Sequence, residues 1–388
     1  MKSSKNHRIK TGFQQPETSS LQPVSSSQYQ VSSIQQPAAS GRPFIIPIFL
    51  PHAGCPHRCV FCNQVSITGT GQKPVSADQL RSQIRQFLRY RSDRRQTAQI
   101  SFFGGNFLGL KIEEIKFYLG LAAEFVKRGA VDSIRFSTRP DTVDAKRLEI
   151  IADYPVATVE LGVQSMDERV LALAKRGHSA ADTIRAVERL KSRDYSIGLQ
   201  MMVGLPGDDA ALAMASAAKI AGMQPDFVRI YPTLVVENSL LAEWYKRGAY
   251  TPLSLEDAVA QVKRLYQFFR KNNIRVIRMG LQASEDLNTG SVLAGPYHPA
   301  FGHLVYSEIF LDAACAAIKS VNPTGANVAI FVNPRRIGAM RGLKNSNIAL
   351  LKGQFGLEKI DIFPDSSLDE DSIKIDNGSP KPCFHIGR

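Results

Sequence analysis

The feature that most restricts this chain is the alternation, from Phe44 onward, of short apolar runs with longer stretches of helical period. Apolar runs occupy residues 44–50, 99–103, 133–137, 158–162, 196–203 and 227–231. Between them, residues 76–90, 112–127, 144–154, 167–175 with 180–193, and 208–221 carry apolar side chains at helical spacing. Six strands each followed by a helix imply parallel strands joined by right-handed crossovers. The predicted fold class is therefore α/β, a partial (βα)6 barrel, with an open doubly wound sheet as the competing arrangement. In such a barrel the chemistry sits where the strands run out at their C-terminal ends.

The barrel is expected to occupy residues 43–290. Before it, residues 1–42 form a Ser/Gln-rich arm: the first forty hold ten Ser, seven Gln and a single acid, Glu17. Such a stretch buries too little apolar surface to offset its ordering entropy, and it is predicted to be disordered. Its scarcity of acids resembles an organelle transit peptide, but Arg8 is the only arginine of those first forty residues. Past the sixth strand, a helix over 254–272 starts at a Ser254 cap, and a strand over 275–279 follows. The Gly/Pro/aromatic segment 290–303 is too irregular for a regular element. A C-terminal α/β extension, 291–388, reads β-α-α-β at 327–332, 335–340, 346–354 and 359–363, with a loose acidic tail after Asp365.

Hydrophobic residues at 44% and charged residues at 21% exclude a wholly disordered, collagenous or coiled-coil chain. No apolar run approaches the ~18–20 residues of a membrane span. The longest, 44–50, is broken by Pro47, and no N-terminal apolar h-region is present. A soluble cytoplasmic protein with no membrane partner is expected. Lys and Arg (48) outnumber Asp and Glu (35), a net charge of +13. That balance favours a polyanionic partner, nucleic acid first, with plain solubility as the other explanation.

Three of the five cysteines fall in one short loop directly after the first strand: Cys55, Cys59 and Cys62, spaced Cys-x3-Cys-x2-Cys. Thiolates bind soft metals and iron–sulfur clusters. Three of them can hold three irons of a cubane and leave the fourth open to a small molecule. A zinc knuckle would need a fourth ligand, for which His52 or His57 is available. A redox Cys-x2-Cys pair would leave the third cysteine idle.

This cysteine pattern, with Phe61 before the last cysteine, resembles the radical S-adenosylmethionine (SAM) superfamily. So do Ser101-Phe102-Phe103-Gly104-Gly105-Asn106, Glu160-Leu161-Gly162-Val163-Gln164 and Gly204-Leu205-Pro206-Gly207 at later strand ends. Ser137-Thr138-Arg139-Pro140-Asp141, Lys175-Arg176-Gly177-His178 and Tyr297-His298-Pro299-Ala300-Phe301-Gly302 are similar to the Elongator-catalytic-subunit branch, and the set as a whole also resembles the coproporphyrinogen-dehydrogenase branch. The resemblance covers roughly residues 43–310. It implies a [4Fe–4S] cluster on Cys55, Cys59 and Cys62, whose open iron chelates SAM. One electron then cleaves SAM to methionine and a 5′-deoxyadenosyl radical that abstracts a substrate hydrogen. The electron is expected from a reductase, ferredoxin or flavodoxin.

Carried over position by position, the resemblance implies that Phe49 and Phe61 pack around adenine or the cluster. Gly104, Gly105 and Asn106 meet the SAM amino group through backbone carbonyls, Asn106 standing where the family has Glu. Gln164 reaches the ribose region and Gln200 the ribose hydroxyls; Glu160 and Ser137 also belong to the cofactor site, Ser137 standing where many relatives have Glu. Arg176 reaches the SAM carboxylate. Tyr297 and His298 are candidate catalytic residues near the radical. Plainer readings stand beside these: a turn for Gly104-Gly105, a satisfied barrel-interior carboxylate for Glu160 with Arg176 as its solvent-facing partner, hydrogen-bonded filler for Tyr297 and His298.

The Elongator catalytic subunit also carries an acetyltransferase domain and acts on wobble uridine of tRNA. This chain leaves too little room for that domain, and its cysteine spacing is shorter than the Elongator pattern, so carboxymethylation does not carry over. In the extension, Arg341-Gly342-Leu343-Lys344-Asn345 between two helices resembles the backbone-clamping loop of a KH-type RNA-binding unit. That likeness implies phosphate contacts for Arg335, Arg336, Arg341 and Lys344; a small lid over the barrel mouth is the alternative. The expected function is a radical SAM enzyme acting on RNA, with tRNA the leading substrate. A radical SAM-fold protein that handles a small molecule or haem, and a non-catalytic metal-containing RNA-binding module, are the competitors.

Overall fold

The structure, a computed structural model, describes residues 43–64, 75–91, 96–281, 291–323, 325–376 and 383–385. The predicted disordered arm, 1–42, lies outside them. Seven parallel strands form one sheet: β1 (Phe44–Leu50), β2 (Ala98–Gly104), β3 (Ser133–Thr138), β4 (Val156–Gln164), β5 (Ser196–Val203), β6 (Phe227–Pro232) and, after a short β7 (Val235–Val236), β8 (Arg275–Met279). They neighbour one another in chain order, with only the short β7 left out of the sheet. A doubly wound sheet would reverse that order part-way. The sheet is instead a curled half-barrel, and the strand at 275–279 extends the expected six to seven.

Helices α1 (Ala77–Arg89), α2 (Ile112–Lys127), α3 (Ala145–Ala152), α4 (Glu168–Leu173), α5 (Ala180–Lys191), α6 (Ala210–Gly222), α7 (Leu240–Lys246) and α8 (Leu255–Lys271) connect these strands. Most begin at a side chain that accepts a backbone N–H: Ser76, Asp144, Asp167, Ser179, Asp209, Ser239 and Ser254. Each such cap contributes about 1 kcal/mol and fixes where its helix starts. Along the strands, alternate side chains take opposite faces. Ile48, Ile100, Phe102, Phe136, Leu161 and Ile230 are buried against the helices. Phe102, Phe107 and Phe136 stack there, with ring centroids 5.0 and 4.7 Å apart. Phe49, Phe103, Ser137, Gln200, Arg229 and Tyr231 take the other face, the barrel lumen, and are only half-buried.

Two parts of the C-terminal region depart from expectation. The segment 290–303, read as irregular, holds β9 (Val292–Ala294), which pairs antiparallel with β7, and the first turn of α9 (Phe301–Val321). The periodicity of α9 is hidden because it is buried on two sides. Phe301, Val305 and Ile309 join the barrel core, while Phe310, Ala314, Ala317 and Ile318 join a second core. That second core lies under a four-stranded sheet of β10 (Asn327–Val332), β11 (Lys359–Pro364), β12 (Ser372–Asp376) and β13 (Cys383–His385), ordered β11-β10-β12-β13. The β-α-α-β reading holds for β10, α10 (Ile337–Arg341), α11 (Ser346–Phe355) and β11. The loose tail after Asp365 does not: β12 continues the sheet because Ile373 and Ile375 alternate into the second core.

Candidate functional site

The cysteine loop follows β1 at the C-terminal end of the sheet and is anchored on every side. Ala53 O accepts from Asn106 N at 2.7 Å, and Val60 N donates to Ala174 O at 3.1 Å. Val60 O accepts from Leu241 N at 2.8 Å, and Asn63 Nδ2 donates to Glu237 O at 2.7 Å. The loop is thereby tied to β2, α4, α7 and the β7–β9 ribbon. Gly104 and Gly105 do lie against its backbone. A Cβ on Gly105 would run into Ala53 O and approach Ala53 N at 2.7 Å and Leu50 O at 2.8 Å. Gly104 adopts φ +102°, a region reserved for glycine. Its carbonyl accepts from Gln64 Nε2, a contact from the loop's own end that sequence reasoning did not anticipate.

The three thiols share one electrostatic environment. Burial pushes the Cys62 thiol up to about 12, and Cys59 and Cys55 push the same way, against Arg176. Cys55 is raised by burial and by Cys59, while Arg176 and Arg139 pull it down. Arg176 is buried behind them and forks: Nη1 donates to Cys59 Sγ at 3.1 Å and Nη2 to Gly162 O at 2.6 Å. Its Nε is buried without a partner. Arg139, also buried, is held bidentately by Asp141 at 2.9 and 3.0 Å. Three clustered thiols, whose anions would repel one another, form with two nearby guanidinium groups a donor set that a cationic iron–sulfur core would ionise and neutralise. Among the described residues, no three His, Cys, Asp or Glu side chains are placed to hold a single metal ion. A cubane makes a different demand, one thiolate for each of three irons.

The lumen residues are placed by the strand pleat. Phe49 lies on Phe103, centroids 6.1 Å apart. A bulge at Gly162–Gln164 gives Gln164 a positive φ of 69° and places it within reach of Gln200, whose Nε2 donates to Gln164 Oε1 at 3.3 Å. Ser137 lies half-buried on β3, paired in register with Glu160 on β4. Phe61 packs on a satellite cluster with Val60, Met202 and Leu205.

Two of the expected cofactor residues have side chains already engaged within the protein. Asn106 is wholly buried and its side chain is fully engaged: Nδ2 donates to Gly54 O at 3.0 Å, and Oδ1 accepts from Thr138 Oγ1 at 2.7 Å and Arg139 N at 3.0 Å. Its side chain thereby knots the cysteine loop to β3. Glu160 is the satisfied interior carboxylate of the plainer reading, but its partners are Arg135 at 2.5 Å and Arg229 at 2.6 Å, not Arg176. These two arginines also lie over the Phe227 and Phe103 rings. Removing one partner of such a buried cluster costs about 3–5 kcal/mol. Their signal in the sequence was a charge at alternate positions of otherwise apolar strands, Ile134-Arg135-Phe136 and Val228-Arg229-Ile230.

Tyr297 and His298 follow β9 at the same end of the sheet. His298 Nδ1 accepts from Ala300 N at 3.0 Å, which shapes the turn into α9. In the extension, Arg341 and Lys344 are exposed, and Gly342, Lys344 and Asn345 all have positive φ, so the loop keeps a left-handed form without a second glycine. The expectation that Arg336 meets phosphate is corrected. Its side chain is 11% exposed, pairs with Glu370 at 2.8 Å and lies 4.0 Å over the Tyr306 ring. Arg335 faces solvent but is paired with Glu370 at 2.8 Å.

The sequence pattern described as "Radical SAM superfamily" matches residues 49–214, and that described as "Radical_SAM C-terminal domain" matches 225–310. The chain belongs to the radical SAM superfamily. It is a radical SAM enzyme, and its cofactors are those of the superfamily, a [4Fe–4S] cluster and SAM. It is 25% identical over 338 residues to the tRNA uridine(34) acetyltransferase of Methanocaldococcus infernus, covering 76% of this chain and 62% of that protein. It is 23% identical over 195 residues to the heme chaperone HemW of Lactococcus lactis, covering 50% of each. The chain thus spans less than two thirds of these curated relatives. The solved structure of the archaeal Methanocaldococcus infernus Elp3 has the same fold, with a TM-score of 0.57 at 23% identity over 69% of this chain and 63% of that one.

Proposed function

We propose that this radical SAM enzyme reductively cleaves SAM and acts on an RNA, with tRNA the favoured substrate. The observation that carries the reading is the cysteine loop at the mouth of a half-barrel, three clustered thiols with Arg176 bonded to Cys59 and Arg139 close enough to act on Cys55 electrostatically. Cys55, Cys59 and Cys62 would hold one iron each. When bound, the cluster supplies the electron that cleaves SAM into the radical used on the substrate. Arg176 would meet the SAM carboxylate by exchanging its bonds to Cys59 Sγ and Gly162 O, the Gly104-Gly105 backbone faces the amino group, and Gln164 with Gln200 holds the ribose. Phe49 and Phe61 flank the adenine side. Tyr297 and His298 stand on the substrate side, where a phenol or imidazole can hold or pass a proton.

The RNA assignment is supported by the tRNA-acting relative, the charge of +13 and the exposed Arg341–Lys344 loop. The reaction is placed in the cytoplasm, with a reductase, ferredoxin or flavodoxin as electron source. Among the described residues no helix is long and apolar enough to cross a membrane. The test has two arms. Anaerobically reconstituted, reduced protein should release 5′-deoxyadenosine from SAM, and nucleoside mass spectrometry of RNA from cells with and without the protein should reveal a missing modification. Identical nucleoside profiles would reject the RNA assignment. The HemW match favours a second reading, haem carriage. Stoichiometric haem binding by a protein that leaves SAM intact would support it.

A further inference from the structure

We propose that the open face of the C-terminal sheet is a stacking platform for the bases of single-stranded RNA. This deepens the RNA reading above and rests on it. Helices α9 to α11 cover one face of the sheet, where Val328, Ile330, Val332, Ile373 and Ile375 are buried. The opposite face carries Phe363, Phe331 and Lys374 side by side on three adjacent strands: Phe331 pairs in register with Phe363 on β11 and with Lys374 on β12.

The two rings stack at 5.4 Å with a tilt of 29°, and Lys374 Nζ lies 5.7 Å from the centre of the Phe331 ring. Phe363 is 44% exposed, an unusual position for a phenylalanine next to a second ring. Flat aromatic faces beside a cation suit a nucleobase and its phosphate: the ring offers stacking to any base, and the ammonium meets the backbone. Charge on this face agrees with that occupant. Asp361 is paired with Lys359 at 2.8 Å, and Lys374 lies over the rings with Asp365 as an acidic neighbour, on a chain of net charge +13. The platform is separate from the Gly342–Asn345 loop and adds what that loop lacks, a surface that reads unpaired bases rather than phosphates.

The test is anisotropy of a labelled single-stranded oligouridylate of about ten nucleotides, titrated with the full chain at two salt concentrations. Phe363→Ala should weaken binding on the order of 10-fold, Phe363→Trp should bind at least as well as the wild type, and Phe363→Leu should not rescue. The salt slope should be the same in all of them, because stacking releases no counterions. Unchanged iron content would show that the variants are folded. Wild-type affinity in Phe363→Ala overturns the platform but leaves the RNA reading standing. Full rescue by Phe363→Leu overturns it in favour of apolar packing. A concentration-dependent dimer that Phe363→Ala dissolves overturns it in favour of a second copy on this face. A wild type that binds neither the oligonucleotide nor tRNA at low salt removes both the platform and the RNA reading.

Discussion

At the residue scale, what was legible is what depends on spacing. The cysteine triplet lies within one turn of chain and needs no distant partner to be recognised. Cys55→Ala, Cys59→Ala and Cys62→Ala should each abolish the four-iron cluster in reconstituted protein, measured as iron and sulfide per chain. Cys315→Ala should leave it intact, since that thiol is on α9 beside Gln354. The side-chain partners of Asn106 and Glu160 were not legible, for the opposite reason. Their partners, Gly54 and Arg229, are 52 and 69 positions away, and only the folded chain reveals them. Asp208 belongs to the same class. It sits in the turn after β5, where burial raises its carboxyl from 3.8 to about 7 against a hydrogen bond from Gly204 N; Asp209 and Asp167 add to the rise, and Tyr250 stands beside it. Between these two values the folded state holds a proton that the unfolded chain has lost. Stability from this group is therefore lost as pH rises from about 4 to 7, and is flat above. Asp208→Asn should melt with the wild type near pH 4 and above it at pH 8. A constant difference in melting temperature across that range would reject the assignment.

At the element scale, strands and capped helices were readable because apolar runs and cap residues are local signals. Helix α9 was not, because a helix buried against two cores keeps too narrow a polar face to mark its period. The junction of the cysteine loop with β2 was half readable: the glycine pair was visible, its job was not. Gly54 and Gly105 let two backbone segments touch, and Cβ atoms there would strike Asn106 O and Ala53 O. The glycines thus shape the metal-binding loop before any ligand arrives. Gly105→Ala is therefore expected to lower iron content as well as SAM affinity, because the loop must shift before the ligand contact is even tested. Full iron occupancy with only SAM binding lost would show that the pair acts on the ligand alone.

At the scale of the whole molecule, α9 joins the two cores as one continuous rod, and a polar seam locks them. Tyr266 donates to Asp371 at 3.1 Å, Arg270 pairs with Asp371 at 2.9 Å, and Lys263 pairs with Asp312 at 2.8 Å. A rigid seam means that the extension presents its surfaces at a fixed position relative to the barrel mouth. The basic loop can then be tested without disturbing the chemistry. Arg341 and Lys344 are exposed and take part in neither the seam nor the second core, so Arg341→Glu with Lys344→Glu should leave the fold, the cluster and SAM cleavage without RNA unchanged. Each lost phosphate contact lowers the salt slope of single-strand binding by about 0.7. The double variant should therefore bind tRNA more weakly and with a slope shallower by about 1.4, since two contacts are removed. A loop that only lids the barrel predicts otherwise: equal RNA affinity at both salts and a changed rate of SAM cleavage. The two outcomes separate cleanly because the platform variants shift affinity without changing the slope, whereas the loop variants must change both.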